Sequence, residues 1–82
     1  MNVKANLVYL GIEAIPSKKV AGKIYNKVNF VDGVNTCSAN CEDIALFANM
    51  GKLNPLTPVT CGLEIRLGKY TSVELTSCEK GA

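Results

Sequence analysis

Residues 23–39, Lys-Ile-Tyr-Asn-Lys-Val-Asn-Phe-Val-Asp-Gly-Val-Asn-Thr-Cys-Ser-Ala, hold two alternating polar and apolar runs around Asp32-Gly33. Alternation with period two puts successive side chains on opposite faces of a strand, and Asp-Gly between two such runs is a strong hairpin signal. With Asp32-Gly33 as a two-residue type I′ loop, Val31 faces Val34, Phe30 faces Asn35, Val28 faces Cys37 and Asn26 faces Ala39. One face then carries Ile24, Val28, Phe30, Cys37 and Ala39; the other carries Lys23, Tyr25, Lys27, Asn29, Thr36 and Ser38. Only Asn26 and Asn35 break the separation. Lysines interleaved with a tyrosine and amides on a strand surface suit phosphate neutralisation, base stacking and edge hydrogen bonding together.

Working outward, Val3 to Ile15 is rich in β-branched and apolar residues and stops at Pro16, which has no ladder donor, so it reads as a strand. The following loop, 17–22, contains Lys18 and Lys19. Downstream of the hairpin, Cys41 to Met50 breaks the alternation. It reads as a short helix with Asn40 as N-cap, Glu42 and Asp43 in its first turn and Gly51 as its stop. In 52–58 two prolines argue against a central strand.

Val59 to Leu67 alternates again, with Val59, Cys61, Leu63, Ile65 and Leu67 inward and Thr60, Gly62, Glu64 and Arg66 outward. A final strand spans 71–77. A three-residue loop, Gly68-Lys69-Tyr70, pairs Ile65 with Val73 and Leu63 with Leu75, whereas a two-residue loop would set Leu63 against Glu74 and mix core with solvent. Glu79 to Ala82 reads as a frayed end, and Gly62 as a bend that helps close a small barrel.

With 48% hydrophobic and 20% charged residues in 82, the chain has the composition of one globular domain, 1–82, rather than a disordered or fibrous segment. Its apolar runs reach only three or four residues, as at Leu7 to Leu10, so no membrane span is expected. Before Lys18 no apolar stretch of signal-peptide length is read, which points to the cytoplasm and to four free thiols rather than two disulfides. Histidine is absent, removing the usual general base and the commonest metal ligand, so a non-enzymatic protein without cofactor or metal is expected.

Net charge is +2, but residues 1–31 carry +4 and the remainder −2, with four lysines and no acid from Ala14 to Val31. Such a local field attracts polyanions. The cysteine spacing lacks the paired close knuckles of zinc sites. Cys37 and Cys61 are expected as small core residues, with Cys78 accessible near the end of the chain. Tyr9 reads as a core aromatic, Phe47 and Met50 as the barrel's lower cap, and Glu13, Glu64 and Glu74 as solvated charges.

Strand, basic loop, strand, Asp-Gly hairpin, strand, short helix, strand, tight loop, strand is the element order of the OB-fold, a five-stranded Greek-key barrel. The stretches GKIYNKVNFVDG (22–33) and LGKYTSVELTSCE (67–79) resemble the basic-aromatic second strand and the closing hairpin of the small OB-fold single-stranded-DNA-binding proteins of phages and mobile elements. The chain lacks the long acidic tail of the larger bacterial single-stranded-DNA-binding proteins. The resemblance implies an all-β OB-fold-like barrel with one short helix between strands 3 and 4. It implies single-stranded DNA as partner with RNA left open, a role in DNA replication or transfer, and a homodimer. The alternative is a small β-barrel that binds another protein. Residues expected at the nucleic acid are Lys18, Lys19, Lys23, Tyr25, Lys27, Asn29, Arg66, Lys69 and Tyr70.

Overall fold

The hairpin that decides the fold forms in a computed structural model that describes residues 1–81. Strand β2 (Ile24–Asp32) turns into β3 (Asn35–Asn40), but the loop is Gly33-Val34 rather than Asp32-Gly33, so Val28 faces Ala39 and Phe30 faces Cys37. Gly33 takes φ +63°, and neither Asp32 nor Val34 has positive φ. The single glycine therefore sits at the first central position, where a type II′ turn needs it, and Asp32 is spared the left-handed conformation that type I′ would impose. The register moves by two residues, which preserves both faces. Val28, Phe30 and Ala39 are buried as expected.

The other elements are β1 (Asn2–Pro16), helix α1 (Ile44–Met50), β4 (Thr57–Arg66) and β5 (Ser72–Lys80). They close a barrel in the order β1-β2-β3-β5-β4, with β1 long enough to pair with β4 along its first half and β2 along its second. This is the five-stranded OB-fold-like arrangement, helix included. No helix among the described residues is long and apolar enough to cross a membrane.

Leu7, Tyr9, Val28, Phe30, Met50, Val59, Cys61 and Leu75 fill the interior, and the Tyr9 and Phe30 rings meet edge to face at 6.4 Å. From α1, Met50 is buried in this core and Phe47 packs against it, partly buried. In the β4–β5 ladder Ile65 faces Val73 and Leu63 faces Leu75 as expected, but the last registered pair is Arg66 with Ser72, so the connection is the five residues 67–71 rather than three. Thr76 is the extra residue of an irregularity beside Gly62, where a Cβ would crowd the Ser77 and Thr76 hydroxyls and oblige them to shift.

Several expectations are corrected. Ile24 and Leu67, both read as core-facing, are exposed, Ile24 at the start of β2 and Leu67 just past the end of β4. Helix α1 begins after Asp43, whose carboxylate accepts the Leu46 N–H at 3.1 Å; Asp43, not Asn40, is the N-cap, and neither acid lies in the first turn. Pro58 lies inside β4 at its start, opposite Val8, where a missing donor is tolerated. Glu79 and Lys80 are not frayed: they face Thr60 and Val59, and the Gly81 N–H donates to the Pro58 carbonyl at 2.8 Å. Cys37 has the inward parity of Ala39 but is exposed, because β3 and β5 share a single registered pair, Asn40 with Glu74, and the seam opens toward the hairpin.

Cys41 and Cys61 are the buried thiols. Burial, then the neighbouring Cys78, pushes Cys61 up to about 12; burial, then Glu74 and Asp43, pushes Cys41 up to about 11. Below the ordinary thiol value of 9.0 both states of the chain are protonated. Above it the unfolded chain loses protons that the fold keeps, so stability should fall with rising pH by about 1.4 kcal/mol per pH unit for each such thiol. That loss runs from pH 9 toward the folded values near 11 and 12. Urea midpoints under reducing conditions between pH 8 and 11 check it. Cys61→Ala should flatten the alkaline slope relative to wild type, and an unchanged slope would contradict the account.

Candidate nucleic-acid interface

The outward row of β2 is built by its inward row. Because Val28 and Phe30 are buried, Lys27 and Asn29 must face out, continuous with Tyr25 and with Lys23 just before the strand. Tyr25 is 41% exposed, and the Lys23 ammonium lies 5.0 Å from its ring centroid. One ring face is thus covered by a cation, leaving the other for a stacking partner. Beside this row the β1–β2 loop is pinned at its base. The Ser17 N–H donates to the Lys23 carbonyl at 2.8 Å, and the Ser17 hydroxyl accepts the N–H groups of Lys19 and Val20. Gly22, at φ +79°, completes the turn. Lys18 and Lys19 are exposed on this short loop, next to Lys23.

On the β3 side the corrected register sets Asn40 beside Lys27 and Ser38 beside Asn29. Asn40, read from the sequence as a helix N-cap, is instead the last residue of β3 and shares the outward parity of Ser38. A surface cleft of about 350 Å³ adjoins the row, lined among others by Lys23, Tyr25, Asn26, Asn40, Glu42 and Ile44. A second cleft, of about 470 Å³, lies between Asn6, Val8, Val31 and Pro58 and holds none of the expected site residues.

The β1 side brings an acid. Strand β1 carries a bulge between Tyr9 and Gly11, so Leu10 is the extra residue and the parity of the strand reverses beyond it. Tyr9 points into the core, yet Glu13, four residues on, faces out beside Lys27, and its carboxylate accepts the Asn29 side-chain amide at 3.3 Å. Glu13 is therefore a partner within the row rather than a detached surface charge.

Followed across the ladders, the row continues as Glu13, Lys27, Asn40, Glu74 and Glu64, and returns to β1 at Asn2, eleven residues from where it left. That offset reflects the shear that closing a narrow barrel requires. It also divides the surface by charge. Lys18, Lys19, Lys23 and Lys27 lie toward the β1–β2 loop, and Glu64 and Glu74 on the far side of β3. Glu74 accepts the Glu42 N–H at 2.7 Å, which holds two acidic residues together there.

Of the expected residues, the structure joins Lys18, Lys19, Lys23, Tyr25, Lys27 and Asn29 into one surface. Arg66 lies elsewhere and is engaged by Glu64 at 3.2 Å. Lys69 and Tyr70 sit on the β4–β5 loop, with the Lys69 ammonium 5.8 Å from the Tyr70 centroid and the ring 79% exposed. Across the sheet the β2 row reaches Glu74 before it reaches that loop, so a continuous basic track from Lys27 to Lys69 is interrupted by a carboxylate.

Comparison with protein-family models, curated proteins and solved structures finds no match to this chain. What the surface does is therefore argued from its own geometry. Among the described residues no group of three or more cysteine or acidic side chains could hold a metal ion.

Proposed function

We propose that this chain is a non-enzymatic, largely sequence-independent binder of single-stranded DNA, of the small OB-fold type found in phage and mobile-element replication or transfer, working in the cytoplasm as a homodimer. The observation that carries the reading is the outward row Lys23, Tyr25, Lys27 and Asn29 with Lys18 and Lys19 on the adjoining loop. Lysines neutralise phosphates, and a half-exposed ring at their centre offers a base a stacking surface. Lys69 and Tyr70 would extend the track on the other side of Glu74, and Arg66 would join only by leaving Glu64.

Each neutralised phosphate of a single strand lowers the slope of log affinity against log salt by about 0.7, so the four clustered lysines should give a slope of about −2 to −3. Titration of a long polypyrimidine DNA at several salt concentrations checks this, and the same titration with RNA decides its place. Absence of binding at low salt would end the proposal. Sedimentation at micromolar concentration tests the dimer.

The open β3–β5 seam favours a second reading, in which the chain binds a protein by adding a strand to an unpaired edge. A partner bound there would be indifferent to charge removal at Lys18, Lys19, Lys23 and Lys27.

A further inference from the structure

We propose that Cys61 and Cys78 are a modification site: a reversible cross-strand disulfide, formed by exchange with a small-molecule disulfide of the glutathione class, that staples the barrel-closing hairpin. The inference goes beyond nucleic-acid binding and does not depend on it. The two residues are direct partners in the β4–β5 ladder, and their sulfurs are 3.7 Å apart. Both side chains belong to the interior, Cys61 fully buried and Cys78 packed against the core from a half-buried position. Facing residues of an antiparallel pair have Cα atoms about 4.5–5.5 Å apart, inside the span of about 4.4–6.8 Å that a disulfide bridges. Side-chain rotation can therefore close the bond without moving either strand.

No other pair of thiols lies within contact distance among the described residues. Cys41 donates to the Asp43 carbonyl at 3.5 Å, and Cys37 stands exposed on β3. The accessible end of β5 also gives the oxidant a way in, since β5 has no registered β3 partner beyond Glu74.

The exchange proceeds in two steps. Cys78 gives up its proton and its sulfur attacks one sulfur of oxidised glutathione. That S–S bond breaks, and one glutathione leaves as a thiolate that takes up the proton. Cys61 then gives up its proton and attacks the Cys78 sulfur of the mixed disulfide, expelling the second glutathione, which is protonated in turn. Two protein thiols are oxidised to one disulfide while one glutathione disulfide is reduced to two thiols, and excess reduced glutathione runs the sequence backward. Burial of both sulfurs favours their neutral form, so the forward steps are slow at neutral pH.

The ring so closed contains the 16 residues between Cys61 and Cys78, including the whole β4–β5 loop. Closing a loop of that size removes enough unfolded-state freedom to raise the melting temperature of a domain this small by roughly 10–20 °C.

The wild-type chain supplies the test. Trypsin cuts after Lys52, Arg66, Lys69 and Lys80, placing Cys61 on peptide 53–66 and Cys78 on peptide 70–80. After incubation with oxidised glutathione, the Cys61–Cys78 link makes the monomer lighter by two hydrogens before alkylation; after the remaining thiols are alkylated and the chain is digested, these two peptides are expected to be linked. The linked monomer's melting temperature should be raised as stated and restored by reduced glutathione. Cys78→Ser should show neither the link nor the shift. A stable glutathione adduct without the link, a link through peptide 28–52, a covalent dimer, or a link that leaves the melting temperature unchanged would each overturn the proposal. These outcomes are read without nucleic acid, so they stand apart from the fate of the binding reading.

Discussion

Phe30→Ala should cost about 3–5 kcal/mol of folding stability, enough to unfold much of the population. A domain of this length holds only about 4–12 kcal/mol in total. Phe30 is 1% exposed, faces Tyr9 on β1 and Cys37 on β3, and sets its ring edge-on to Tyr9 with 67° between the planes. Truncation removes the transfer energy of the ring and leaves a void that strands tied on both sides cannot collapse to fill. Urea unfolding checks the size of the loss. Val34→Ala, at a hairpin position 97% exposed, is the control and should change stability by less than about 0.5 kcal/mol. A Phe30→Ala loss below about 1.5 kcal/mol would mean that the barrel interior is not packed as described.

Tyr25→Ala should weaken binding of single-stranded DNA by about 1–3 kcal/mol at fixed salt while leaving the salt slope nearly unchanged, because stacking releases no counterions. Lys27→Ala, one step along the same outward row, should do the opposite and make the slope shallower by about 0.7 with a modest loss at high salt. The pair separates stacking from charge on one strand face. Tyr25 is half-exposed and outside the core, so its removal should leave the fold intact, and melting curves of the variant establish that before binding is read. Equal effects of both substitutions on the slope would argue that the ring only orients Lys23, whose ammonium it meets at 5.0 Å. No effect of either would move the binding surface off β2.

How far the chain can be read without its structure depends on what local alternation records. The period-two pattern registers which side of a strand meets the core, and it did so correctly where one face is continuously buried. Val28 and Phe30 lie opposite Lys27 and Asn29, and the β4–β5 register of Ile65 with Val73 follows because the two-residue alternative would set apolar residues against solvated ones. The hairpin loop lies one residue further on than the Asp-Gly signal implies, which shifts the pairing by two residues and is invisible to face parity. It was decided by which backbone position could use the positive φ of Gly33.

The sequence by itself therefore determined the barrel class, the order of its elements and the lysine-tyrosine face, since each follows from burial patterns within one or two neighbouring segments. Tertiary structure alone decided the rest. The Leu10 bulge turns Glu13 out beside Lys27, the sheared closure lays Glu74 between β2 and the β4–β5 loop, the open seam exposes Cys37, and the β4–β5 ladder brings Cys61 against Cys78. The physical reason is common to all four. Closing five strands into a narrow barrel imposes shear, bends and mismatched edges that no single strand's alternation encodes, and these set which distant side chains become neighbours.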